Sequence, residues 1–141
     1  MDLVARPELT ALGIVSPVIV ALILIALASL IREPARQQYS AVFLAGAGAA
    51  YLSGGFGLWE FAFCSVMTVV AYFGLRDYRA IGIGWLLHTG WDWLHHRYGN
   101  PIIPFAPMSS MGCAICDPAL AVWYLFGAPS IWSLVRRKVA K

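Results

Sequence analysis

From Leu9 to Ile31 the chain runs 23 residues without a charged side chain. As a helix rising about 1.5 Å per residue, that run is long enough to cross a hydrocarbon layer of about 30 Å. Few structures can accommodate such a run. In hydrocarbon every backbone N–H and C=O must be satisfied within the protein, so a single crossing segment has to be helical. The run is too long for the apolar region of a leader peptide, and no small-residue cleavage pattern follows it, so it reads as a retained transmembrane helix. The composition agrees: 60% of the 141 residues are hydrophobic and 12% are charged. Soluble domains average roughly 45–50% apolar and about 25% charged. The net charge of +3 comes from dispersed basic residues. That dispersal argues against nucleic acid as a partner and for placement by membrane topology.

Hydropathy predicts an all-α, polytopic bundle of five transmembrane helices in a single domain. The spans are expected at 7–31, 39–55, 58–75, 79–97 and 117–135, with Pro7 starting the first and Pro129 breaking the last. A Pro-rich, apolar loop over 98–112 (Pro101, Pro104, Pro107) is expected to fold back over the mouth of the bundle. By parity, Arg32, Arg36, Arg76, Arg79, Arg136, Arg137, Lys138 and Lys141 fall on one side and only Arg6 and Arg97 on the other. The positive-inside bias then puts the amino terminus outside and the carboxyl terminus in the cytoplasm. Span two is rich in small residues, from Ala45 to Ala50 and again at Ser53, Gly54 and Gly55. Small residues suit close helix packing and also offer a surface for homo-oligomers.

Parity also collects the chemistry. Glu60 opens span three, His95 and His96 close span four, and Cys113, Cys116 and Asp117 open span five, all at one membrane face. His88, Asp92 and His95 stand at i, i+4 and i+7, one stripe of a helix that Trp85 and Ile81 continue. His88 and His95 are about 10 Å apart along a straight helix, too far to share one metal. Asp92 is within one turn of each histidine. It is therefore the hub, as a ligand or as the carboxylate that orients one. Ionisable groups at membrane depth are costly and usually functional.

Plainer readings stand beside these. His88 read alone is a core histidine with a satisfied ring, and His95 and His96, next to Arg97, suit an interface with headgroups. Glu60 beside Trp59 marks a water boundary. Asp117 before Pro118 looks like a helix cap, with Cys113-Ala-Ile-Cys116 as a turn ahead of it. That turn could hold a metal, form a disulfide or act as a redox dithiol. Cys64 reads as a buried apolar thiol, Tyr51 as packing, and Ser109 and Ser110 as loop residues with no base nearby.

The segments GWLLHTGWDWLHHRYGNPIIPF (84–105) and SSMGCAICDPALAVWYLFGAPS (109–130) resemble a family of small bacterial integral membrane proteins catalogued as a domain of unknown function. The resemblance covers most of the chain. It implies that the H-x3-D-x2-HH and C-x2-C-D elements belong together, and it implies a bacterial inner membrane. It transfers no activity.

The expected function is that of a membrane metalloprotein with its site in the outer, extracytoplasmic half of the bundle. Candidate ligands are His88, Asp92, His95, His96, Cys113 and Cys116. Mixed nitrogen, oxygen and sulfur donors suit zinc first, then iron or copper. Zinc with an open position would support hydrolysis of a lipid or small amphiphile, with Glu60 or Asp117 as general base. An iron site would suggest oxygen chemistry. Two alternatives are a CxxC thiol–quinone oxidoreductase and a non-enzymatic or structural metal protein.

Overall fold

The computed structural model describes residues 6–52 and 54–139, so Ser53 and Lys141 of the sequence argument lie outside it. Among the described residues there are six helices and no strand: α1 (Ala11–Ala28), α2 (Ala35–Ala49), α3 (Leu58–Gly74), α4 (Tyr78–Tyr98), α5 (Ser109–Leu125) and α6 (Ile131–Val139). Among them only α1 is both long and apolar enough to cross a membrane by length and composition. Helices α2, α3 and α5 have 15 to 17 residues, and α4, with 21, carries three histidines, Asp92 and Arg97. The all-α expectation holds, but the five transmembrane spans expected are not supported: six helices are described, and one of them qualifies as a span.

Helix α4 is central. It packs along α5, and α2 and α3 pack against it and against each other, while α1 lies on α5. The core between them is built from Leu44, Met67, Ile81, Trp85, Leu120 and Tyr124. Small residues set how closely the helices approach. A Cβ added to Gly48 would stand 2.4 Å from Met67 Cβ, and one on Gly84 would stand 2.4 Å from Leu44 Cδ2. Gly48, in the small-residue run of span two, thus seats α2 on α3, and Gly84 of α4 makes room for Leu44 of α2.

Several boundaries differ from the sequence expectation. Helix α1 starts at Ala11 rather than near Pro7, because Thr10 is extended and its hydroxyl accepts from Gly13 N at 3.1 Å. Helix α2 begins four residues before the expected start at Tyr39, taking Arg36 into the bundle. There Arg36 pairs with Glu33, whose carboxylate also accepts from Tyr78 Oη. The largest correction concerns α5. It begins at Ser109, eight residues before Asp117, so the connecting loop covers 99–108 rather than 98–112. Pro118 sits inside the helix, Cys113 and Cys116 are in its second and third turns, and Asp117 caps nothing. The helix ends at Leu125. A turn carrying Gly127 (φ 80°) and Ala128 (φ 46°) leads past Pro129 into α6, so span five as expected is two helices.

Candidate functional site

The stripe foreseen on α4 is buried along its length: Ile81, Trp85, His88, Asp92 and His95 are each at most 3% exposed. His88 is its centre. Its Nδ1 lies 2.9 Å from Asp92 Oδ2, one turn along the same helix, and 2.8 Å from Asp117 Oδ2 on α5. Its Nε2 lies 3.0 Å from the carbonyl oxygen of Ala47 on α2. A carbonyl can only accept, so Nε2 carries a proton and donates to it. Nδ1 is then either a second N–H shared by two carboxylates or a lone pair free to bind a metal. One ligand atom from each of His88, Asp92 and Asp117 lies within 4.8 Å of the other two.

The other side of Asp92 is held as firmly. Tyr51 Oη lies 2.6 Å from Asp92 Oδ1 and 2.8 Å from Ser110 Oγ. Tyrosine has one hydroxyl proton. Given to Asp92, it leaves Ser110 to donate to Tyr51, while Ser110 Oγ accepts from Ile102 N at 3.1 Å. The chain Ile102–Ser110–Tyr51–Asp92 thus runs in one direction and fixes the carboxylate. Starting α5 at Ser109 is what brings Ser110 into reach.

His95 and Glu60 form a separate pair beyond Tyr51. The Tyr51 ring stacks on His95 at 3.9 Å between centroids and 15° between planes. His95 Nε2 faces Glu60 Oε1 at 3.3 Å, and its Nδ1 donates to Asn100 O at 3.2 Å. Glu60 Oε1 also accepts from Phe56 N at 3.0 Å. Glu60 is 2% exposed, so it is not a water-boundary residue; Trp59 beside it is the exposed one. His96 is buried where Arg6 reaches in, donating to the carbonyls of His96 and Gly99 at the end of α4. An arginine suits those otherwise unpaired carbonyls.

Of the six expected metal ligands, the structure therefore brings His88 and Asp92 together with Asp117, and sets His95 and His96 apart. Cys113 and Cys116 are free thiols. They do not join the three-residue cluster, but they line the same cleft as His88 and Asp117. This cleft has a volume of about 740 Å³ and lies between α1 and α2 over α5. Its wall is almost wholly apolar, from Val20 and Leu24 on one side to Val42 and Phe43 on the other.

Sequence reasoning missed Tyr51, Ser110 and the Ala47 carbonyl. Tyr51 had one available signal: it ends span two at the membrane face where the histidines were already placed. The Ala47 carbonyl had none, because a backbone acceptor is invisible in residue identity.

A family model described as "Family of unknown function (DUF6010)" matches residues 12–130, which contain every residue of the centre. No curated protein and no solved structure matches the chain.

Proposed function

The chain belongs to the DUF6010 family of unknown function, and on that premise we propose that it is an integral membrane metalloprotein whose His88–Asp92–Asp117 centre holds one divalent transition metal, zinc first, and acts on an amphiphile. The observation that carries this is the pairing at His88: Nδ1 meets two carboxylate oxygens while Nε2 is committed to a backbone carbonyl. A metal-bound histidine characteristically donates its other N–H in this way. Charge supports the same reading. Two carboxylates, a neutral imidazole and a divalent ion sum to zero, which suits an apolar interior far better than an uncompensated ion. Zinc bonds of about 2.1 Å at a tetrahedral angle put neighbouring ligand atoms about 3.4 Å apart. The present 2.8 and 2.9 Å contacts would open by about half an ångström to admit it. When bound, the metal would supply Lewis acidity for hydrolysis, and Asp117, which lines the cleft, would offer the oxygen not facing His88 as the proton acceptor.

Support for a membrane comes from the distribution of residues. The interior holds Arg36, Glu60, Asp92, Asp117 and all three histidines, while Leu12, Leu22, Phe61, Val66, Val69 and Phe73 face outward. Helices of 15 to 17 residues are short for a bilayer, a mismatch met by local thinning at modest cost. Dithiol chemistry has less support: Cys113 and Cys116 lie in an apolar wall, and Cys64, the third cysteine, is on α3.

Elemental analysis of protein purified without chelators tests the proposal. About one zinc-class ion per chain is expected, falling at least tenfold in Asp117→Asn and in His88→Ala. Wild-type protein that is metal-free and cannot be loaded would leave a metal-free Asp–His–Asp ion triad and overturn the reading.

A further inference from the structure

The cleft between α1 and α2 has no counterpart in the sequence argument. Helix α1 packs on α5, and α2 packs on α3 and α4, so the cleft separates them with α5 as its floor. His88 and Asp117 are part of that lining. The cleft extends to both sides of them. Along α2 it runs from Ala47, the partner of His88, back to Tyr39, and along α5 from Asp117 back to Ser109. Each is eight residues, or about 12 Å of helix. The polar centre therefore stands part-way along an apolar channel instead of at its end. The rims are apolar too: Val42 on α2 and Val20 on α1, both lining the cleft, are 68% and 49% exposed.

We infer that the cleft binds a single-chain amphiphile, entering sideways between α1 and α2, whose polar group stops at His88 and Asp117 with hydrocarbon on both sides of it. Three observations set the occupant. The mouth opens onto outward-facing apolar side chains, so what reaches it is what dissolves among them. A volume of about 740 Å³ lies within the roughly 300–1,000 Å³ of small-molecule sites, which suits one chain. And the two lining groups that can carry charge in partnership, His88 and Asp117, are paired with each other at one level. For what happens to the bound group, the inference rests on the metal reading above; for the binding itself it does not.

The chain carries its own reporters. Cys113 and Cys116 line the cleft, and Cys64, on α3, does not. Gly46 lines it as well, and a Cβ there would meet nothing within 4 Å, so a larger side chain can enter the cleft without a clash at its root. The experiment measures N-ethylmaleimide modification of each cysteine by mass spectrometry, on the full chain in lipid nanodiscs, with and without palmitate. Saturating palmitate is expected to slow Cys113 and Cys116 about tenfold and leave Cys64 unchanged. Gly46→Phe should slow the same two thiols without palmitate, abolish the palmitate effect and keep the wild-type metal content; Val42→Trp at the rim serves as a second occluding variant. Cleft thiols whose rates ignore palmitate would overturn the inference even if the metal is present. Protection that persists in metal-free protein would uphold the cleft and count only against the metal.

Discussion

At the scale of single residues, the centre depends on side chains that do not touch Nδ1 of His88. Tyr51 holds Asp92 by one oxygen and leaves the other for His88. Tyr51→Phe keeps the stack on His95 and removes only the hydroxyl. Zinc affinity, measured by competition with a chromophoric chelator, is expected to fall about 10- to 100-fold, as when an outer partner of a metal ligand is lost. Ser110 and Asp92 would each lose a buried partner, costing about 1–3 kcal/mol of stability. Unchanged affinity would reduce Tyr51 to packing. The sequence made the His88–Asp92 contact legible because helical spacing is rigid: i+4 fixes neighbours before any fold is known; it expected the hub at Asp92, whereas the contacts meet at His88. It could not show Asp117 as His88's partner, because that contact depends on how α5 is set against α4.

At the scale of elements, α5 shows how a sound local signal is overridden. Asp117-Pro118 has the form of a helix start, since proline fits the first turn and aspartate the cap. In the fold, Met108 O accepts from Gly112 N at 2.9 Å and the helix is already running by Cys113. Proline inside the helix forgoes one backbone bond, but Asp117, freed from capping, reaches His88. Local propensity is worth a few kcal/mol at most, and a buried carboxylate left without its partner costs a comparable amount or more. The small residues of α2 were legible as packing, and Gly48 tests that. Its added Cβ would lie 2.4 Å from Met67 Cβ, so α2 and α3 must separate. Gly48→Leu is expected to destabilise the protein by about 1–3 kcal/mol, read as a lowered thermal midpoint in detergent, since overpacking forces backbone shifts. Gly46→Leu, one turn-half away and facing open space, should change the midpoint far less.

At the scale of the whole molecule, the reading turns on what surrounds the bundle. Leu22 on α1 is 58% exposed and Val66 on α3 is 50% exposed, and neither takes part in the centre. In water, placing lysine at such positions changes stability by less than about 0.5 kcal/mol, as for most surface substitutions. In a bilayer a lysine at the middle of a helix costs about 2.5–3.5 kcal/mol. Leu22→Lys and Val66→Lys should therefore lower the fraction of chain recovered in the membrane, or its midpoint in nanodiscs, while metal content per folded chain stays at the wild-type level. Arg6 and Arg36 set the comparison, because they are charges the fold already accommodates, one on the carbonyls at the end of α4 and one on Glu33. If both lysine variants behave as ordinary surface changes, the outward apolar faces are wet or are covered by another protein, and an amphiphile arriving from the bilayer loses its route to His88.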